Sequence, residues 1–293
     1  MSATKILCPI DFSAGSQQAM RTAIRLANDA DAELVLAHAW YLPTTAYSDM
    51  YQLSPEIIQQ MTAEAERNLD DMTREATKLG AKRMASKLLS GNPWQMIVEV
   101  LEQDRAFDLV VMSSHGRTGI PRILLGSVAQ NVVRHAPCSV MVVPPGNEPK
   151  PFSHVLCPID FSESSRHAID LAAAHARSGI TLLHVIEIPV AFSGELPIPE
   201  FAQGLDKVAA KLLEDWALDL RSKVKVPVVT RTRIGSPGTQ TLAALDDAST
   251  FDLVIMGSHG RTGIRRVLLG SVAEKVVRHA PCPVLVVRER EGK

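Results

Sequence analysis

The stretch that decides the fold runs from Leu253 to Val287 and reads LVIMGSHGRTGIRRVLLGSVAEKVVRHAPCPVLVV. It begins with a short apolar run, passes through a loop with glycines at 257, 260 and 263, and enters an amphipathic segment at Gly270-Ser271. A second apolar run, Pro283 to Val287, closes it. This order predicts strand, glycine loop, helix and strand. Glycines let backbone N–H groups approach an anion, and a helix N-terminus adds unpaired N–H groups. The stretch therefore predicts a phosphate cradle.

The same stretch occurs once more at Leu109 to Val143, so the chain contains an internal duplication. Ser114–Cys138 returns as Ser258–Cys282 at an offset of 144, with 21 of 25 positions identical. Ile6–Ser13 returns as Val155–Ser162 at an offset of 149. A repeat of this length predicts one domain that has been duplicated.

The joint between the copies is the Pro-rich segment Pro144–Pro151, which can continue neither a strand nor a helix. We therefore expect a first domain at residues 1–146, a linker at 147–152 and a second domain at 153–293.

Composition narrows the class of protein. Acidic and basic residues nearly cancel, at 32 against 31, which argues against a broad basic surface for nucleic acid. No apolar run approaches the ~20 residues of a membrane span, and the N-terminus lacks a signal-peptide pattern. The four cysteines form no CxxC pair and lie beside apolar runs, which favours buried thiols over a zinc site. We expect a cytoplasmic protein without nucleic-acid or membrane partners.

Each copy reads as strands alternating with helices, in the order βαβαβαβαβ. In the first copy, Lys5–Ile10 is a buried strand and Ser13 is the expected N-cap of the next helix. Continuous apolar runs separated by helical patterns predict a five-stranded parallel sheet with helices on both faces. In such α/β sheets, ligands bind beyond the carboxyl ends of the strands at the switch point. The ends of the first and fourth strands are therefore the expected mouth of the site.

Motif spacing leaves several interpretations of this mouth open. Neither a Walker A pattern nor a GxGxxG after the first strand is present, so the glycines alone could equally form a tight strand-to-helix turn. Arg117 and Arg261, in the loop, are candidate phosphate clamps or solvated charges. His115 and His259 lack a second ligand at metal-binding spacing, so we expect no metal site.

The residues resemble a tandem universal stress protein of the ATP-binding branch. The pattern is Pro-x-Asp-x-Ser after the first strand and Gly-x2-Gly-x9-Gly-Ser after the fourth. The second copy carries every position of it, whereas the first copy has Ser113 where the first glycine belongs. The resemblance covers nearly the whole chain, twice. It implies two Rossmann-like domains of the adenine nucleotide alpha hydrolase type.

The resemblance implies an adenine nucleotide as ligand, namely ATP alone or with Mg²⁺, and no catalytic or metal-binding residue. Asp11 and Asp160 would contact the ribose, although from the residues alone each could instead cap the following helix. Ala39 and Val185 would offer backbone groups to the adenine. The implied nucleotide-binding residues are Pro158, Asp160, Val185, Gly257, Gly260, Arg261, Gly270, Ser271 and Val272 in the second copy, and Pro9, Asp11, Ala39, Ser113, Gly116, Arg117, Gly126, Ser127 and Val128 in the first.

The two copies differ at one position of this pattern, Gly257 against Ser113. A Cβ at residue 113 is expected to narrow the approach of a phosphate. We therefore expect the second copy to bind nucleotide more securely than the first.

The favoured function is an ATP-binding stress-response or signalling module with at most slow ATP hydrolysis, because the motif holds no nucleophile–base pair. The alternatives are an ATP-using enzyme, either an ATPase or an adenylyl transferase, and a nucleotide-free dimeric scaffold. The last strands, Val140–Val143 and Val284–Val287, are apolar. The resemblance implies that they pair as an intrachain pseudo-dimer, and a homodimer of chains is also compatible with it.

Overall fold

The computed structural model describes residues 4–41, 54–116, 125–146, 150–187, 198–247, 250–260 and 269–288. The chain divides into two compact units, Ser2–Pro149 and Lys150–Lys293.

Strands and helices alternate along the described part of the first unit. Its elements are β1 (Lys5–Pro9), α1 (Ala14–Ala30), β2 (Glu33–Trp40), α2 (Pro55–Lys78), β3 (Met84–Ser90), α3 (Pro93–Gln103), β4 (Phe107–Ser113), α4 (Ser127–His135) and β5 (Ser139–Val143).

The described part of the second unit repeats this order. Its elements are β6 (His154–Ile159), α5 (Glu163–His175), β7 (Gly179–Ile186), α6 (Ile198–Lys223), β8 (Val228–Ile234), α7 (Pro237–Asp247), β9 (Leu253–Gly257), α8 (Ser271–His279) and β10 (Val284–Val287). The predicted alternation of strands and helices is therefore confirmed in both copies.

The strand order explains where a ligand site can form. The first unit has the order β3-β2-β1-β4-β5, the second has β10-β9-β6-β7-β8, and the strand pairs within each unit are parallel. The chain adds strands on one side of β1 and then crosses to add β4 and β5 on the other. Because such crossovers are right-handed, α1 and α2 pack on one face, and α3 and α4 on the other. The switch point lies between β1 and β4, and between β6 and β9, as predicted.

The core forms where the apolar runs of the sequence lie. Ile6, Leu7 and Cys8 in β1 are all buried, with no alternation, because helices cover both faces of the sheet. The long helix α2 instead buries a single stripe, Ala65, Leu69, Met72 and Ala76, at helical spacing. None of the described helices combines the length and the apolar character needed to cross a membrane.

All four cysteines lie in this core, which confirms the expectation of buried thiols: Cys8, Cys138, Cys157 and Cys282 are each at most 5% exposed. Burial raises the pKa of the Cys8 and Cys157 thiols far above its ordinary value. For Cys282, burial and the nearby charge of Asp252 raise the pKa to about 12.

We expect native protein to be inert to a thiol reagent such as Ellman's reagent at pH 8, because only an accessible thiolate reacts. Unfolding in guanidinium should release four reactive thiols. The raised pKa also sets a pH dependence, because the folded state holds these protons more tightly than the unfolded state. Its stability contribution is complete below the unfolded pKa, about 9, and declines as the pH rises above it. Rapid labelling of the native protein, before unfolding, would contradict the burial.

Candidate functional site

The turn after the first strand of each unit is built around an aspartate. In the second unit, Asp160 Oδ1 accepts hydrogen bonds from Ser162 N at 3.0 Å, Ser162 Oγ at 2.5 Å and Ser165 Oγ at 2.6 Å. In the first, Asp11 Oδ1 accepts from Ser13 N at 3.1 Å and Ser13 Oγ at 2.6 Å. One carboxylate oxygen is therefore engaged in holding the turn.

The serine of this turn, not the aspartate, caps the following helix. Ser13 Oγ accepts from Ser16 N at 3.2 Å, and Ser162 Oγ accepts from Ser165 N at 3.3 Å. The prediction of Ser13 as N-cap is confirmed. The alternative in which Asp11 and Asp160 act as caps is wrong, because each supports the capping serine instead.

The second oxygen of each aspartate faces the glycine loop. A Cβ added to Gly260 would lie 2.8 Å from Asp160 Oδ2, and one added to Gly116 would lie 2.6 Å from Asp11 Oδ2. A Cβ carbon, which cannot hydrogen-bond, does not lie so close to an oxygen, so the loop or the carboxylate would have to shift. Glycine is required here because the loop passes directly over the carboxylate. The structure thus brings together two predicted site residues from each unit, one after each of two neighbouring strands.

The glycine that precedes the last helix packs against the same loop. Gly270 N donates to Ser258 O at 2.9 Å, and Gly126 N donates to Ser114 O at 2.8 Å. An added Cβ on Gly270 would lie 3.2 Å from Ser258 O. The N–H groups of Gly126 and Gly270 are therefore already used to close the loop.

The first turn of the helix that follows each of these glycines also carries backbone N–H groups. The first helical hydrogen bond of α8 runs from Glu274 N to Gly270 O at 2.9 Å, so Ser271 N, Val272 N and Ala273 N precede the helical ladder. Among the described residues, no side chain caps this helix at Gly270, unlike α5, which Ser162 caps. In the first unit, Ser127 and Val128 occupy the corresponding turn of α4. Such a turn attracts anions through its N–H groups and its dipole.

The second strand of each unit extends past the first, as the adenine expectation requires. In β2, Ala37 O accepts from Ile10 N while Trp40 O accepts from Gly91 N, so hydrogen-bonding directions alternate along the strand. Ala39 therefore directs its N–H and C=O toward the β1 side, beyond the end of the β1–β2 ladder at Pro9. Val185 does the same beyond the end of β6 at Ile159.

The remaining expected site residues fall in different places. Pro9 and Pro158 lie within the first strand of their units, paired with Ala37 and Leu183, rather than in the turn that follows. Arg117 and Arg261 lie outside the described residues. Within the described residues, no group of three or more His, Cys, Asp and Glu is arranged to hold a metal ion.

Two aromatic residues were missed by sequence reasoning. Phe12 and Phe161, directly after the aspartates, have left-handed backbones with φ of 66° and 65°. Their rings lie against His38 and His184, with centroids 4.3 and 4.5 Å apart. Each histidine Nδ1 donates to the carbonyl at the end of the first strand, at 2.7 Å in both units. The sequence feature that could have identified these two residues is the Asp-Phe-Ser tripeptide, which occurs in both copies.

Ser113 does not occupy the position expected of it. Its Oγ lies 2.5 Å from the point where a Cβ on Gly15 of α1 would stand, and the residue is only 9% exposed. The side chain is therefore packed against α1 rather than standing open at the mouth. The ranking of the second copy above the first stays a prediction.

Both halves of the chain match one known protein family. Residues 3–144 and 151–288 each match the profile of the universal stress protein family. The chain belongs to this family. Universal stress protein Rv2623 of Mycobacterium tuberculosis is 27% identical over 310 aligned positions, covering 98% of this chain and 97% of the relative. Universal stress protein Rv2005c of the same species is 29% identical over 246 positions, covering 79% and 77%.

A solved structure supports the fold of this tandem universal stress protein. A universal stress protein from Archaeoglobus fulgidus superposes with a TM-score of 0.70 at 21% identity, covering 98% of this chain and 99% of that chain. At that identity the likeness concerns architecture. It confirms the predicted fold of two tandem α/β domains.

Proposed function

We propose that this universal stress protein binds adenine nucleotide, with ATP as the principal ligand, at the mouth between the first and fourth strands of a unit. The observation that carries the proposal is the convergence at one switch point of three groups. They are a carboxylate oxygen, Asp160 Oδ2, a loop that passes over it at Gly260, and the uncapped first turn of α8.

The carboxylate, the first turn of α8 and the end of the second strand suit the three parts of a nucleotide. A carboxylate oxygen accepts hydrogen bonds from ribose hydroxyls, and the N–H groups of Ser271 and Val272 suit phosphate oxygens. The backbone of Val185, directed beyond the end of β6, can hydrogen-bond the edge of a purine. The same positions exist in the first unit at Asp11, Ala39 and Ser127.

We infer that nucleotide acts here as a bound signal in a stress response, with ATP hydrolysis slow at most. The described part of the site offers Asp160 as its carboxylate, and Asp160 Oδ1 already accepts three hydrogen bonds. With Oδ1 so engaged and Oδ2 assigned to the ribose hydroxyls, this carboxylate is poorly placed to take a proton from an attacking water.

Native mass spectrometry of the purified protein should show adenine nucleotide bound to the intact chain. Protein freed of ligand by unfolding and refolding should give heat on titration with Mg-ATP and melt at a higher temperature. At ligand concentrations ~100-fold above Kd, the stabilisation should be about 2.7 kcal/mol.

GTP serves as the matched control for recognition of the base. Neither heat nor a melting shift at millimolar Mg-ATP would refute the proposal. Rapid phosphate or pyrophosphate release that falls in Asp160→Ala would instead establish the ATP-using enzyme.

A further inference from the structure

The end of the fourth strand contacts the first turn of the first helix in each unit, through one pair of residues. The repeat offsets of 149 and 144 equate Gly15 with Ser164 and Ser113 with Gly257. Each unit thus places one serine and one glycine at this contact, in opposite order.

In the second unit, the helix carries the side chain. A Cβ added to Gly257 would lie 2.3 Å from Ser164 Oγ and 2.8 Å from Ser164 Cβ. A rotation of the hydroxyl would relieve the first contact but not the second, because Cβ is fixed by the backbone. The space between β9 and α5 therefore holds one side chain and no more.

In the first unit, the strand carries the side chain at this contact. A Cβ added to Gly15 would lie 2.5 Å from Ser113 Oγ and 3.4 Å from Ser113 Cβ. The same space is filled from the opposite wall, and neither unit has both serines or both glycines.

The hydroxyl in this space holds the glycine loop in both units. Ser164 Oγ donates to His259 O at 2.7 Å, whereas Ser113 Oγ accepts from His115 N at 3.3 Å. His115 and His259 are equivalent, and each immediately precedes the glycine that lies over the aspartate. One hydroxyl fixes the carbonyl of this histidine and the other fixes its N–H.

We propose that residues 15 and 113, and residues 164 and 257, are matched positioning pairs that set the loop over Asp11 and Asp160. The exchange of serine and glycine preserves the loop, so Ser113 leaves the first mouth open. Resting on the proposed function, this inference assigns two nucleotides to each chain, one per unit.

The test is a double-mutant cycle in the full chain, with the first unit as the template for the second. Gly257→Ser alone brings two serines together and should lower the melting temperature by roughly 5 °C or more, because overpacking a dense contact displaces backbone. It should also reduce bound ATP from two per chain to one, counted by native mass spectrometry. Adding Ser164→Gly should recover most of both losses, since it recreates the arrangement of Gly15 with Ser113.

The mirror cycle applies the same logic to the first unit. Gly15→Ser should destabilise less than Gly257→Ser, because rotation of the Ser113 hydroxyl relieves the 2.5 Å contact and Ser113 Cβ would lie 3.4 Å away. Gly15→Ser with Ser113→Gly should restore both melting temperature and stoichiometry. Ser164→Gly alone controls for the loss of the hydrogen bond to His259 O.

If the losses of melting temperature and bound ATP in the two single variants simply add in the double variant, the two residues are not a matched pair. The Gly257→Ser, Ser164→Gly variant could regain its melting temperature but not its bound ATP. That result would show that a side chain at residue 257 obstructs the ligand itself. It would then contradict the claim that Ser113 leaves the site of the first unit open. If the wild-type chain binds no ATP, the proposed function fails, while the melting-temperature cycle still decides whether the residues are matched.

Discussion

Gly270→Val should weaken ATP binding in the second unit by roughly 100-fold, so that a titration detects one bound nucleotide per chain instead of two. Gly270 has φ −60° and ψ 143°, which valine adopts freely, so the substitution adds no backbone strain. The effect comes instead from the side chain. Its Cβ would already lie 3.2 Å from Ser258 O, and its methyl groups would separate the loop from the helix start.

Gly270→Ala is the graded control, because its single Cβ asks the loop to move by only a few tenths of an ångström. It should retain most of the affinity. Gly126→Val should remove the other nucleotide, since a Cβ there would lie 3.3 Å from Ser114 O. The stoichiometry is measured by calorimetric titration with Mg-ATP. Full binding in the variant with both valines would place the nucleotide somewhere else.

Asp160→Asn should weaken ATP binding in the second unit by about 10- to 100-fold while changing the melting temperature little. Its amide oxygen can still accept the three hydrogen bonds that Asp160 Oδ1 accepts from the serine turn. At the Oδ2 position, however, the amide places N–H donors where the ribose hydroxyls need an acceptor. A hydrogen bond to a charged group contributes about 1.5–3 kcal/mol, which sets the expected range.

Asp160→Ala separates ligand binding from support of the turn. It leaves Ser162 N, Ser162 Oγ and Ser165 Oγ without their acceptor, so it should lower both affinity and melting temperature. Affinity is best compared in a Gly126→Val background, in which only the second unit binds. Unchanged affinity in Asp160→Asn would remove the carboxylate from the ligand site.

Much of this architecture could be predicted from local sequence. Apolar runs, helical spacing and the internal repeat gave the strand and helix order, and Ser13 was predicted as an N-cap because capping depends on neighbouring residues. The mouth of the site followed from the topology of parallel sheets.

The errors concern contacts between residues distant in sequence. Ser113 looked obstructive because its partner, Gly15, is almost a hundred positions away and carries no pattern of its own. The hydrogen bonds from Gly126 N to Ser114 O and from Gly270 N to Ser258 O could not be predicted either, because they form only when the loop folds back. The left-handed backbone of Phe12 and Phe161 could not be predicted, because local preference disfavours φ > 0 for bulky residues. This conformation depends on tertiary packing of the rings against histidines.

The opposite order of serine and glycine in the two units also limits how the repeats can exchange sequence. A recombination between the copies that joins α5 of one to β4 of the other would place Ser164 against Ser113, and the reverse product would place Gly15 against Gly257. The first chimera is crowded and the second lacks the hydroxyl that holds the loop. We expect both chimeras to be less stable at this contact than either parent.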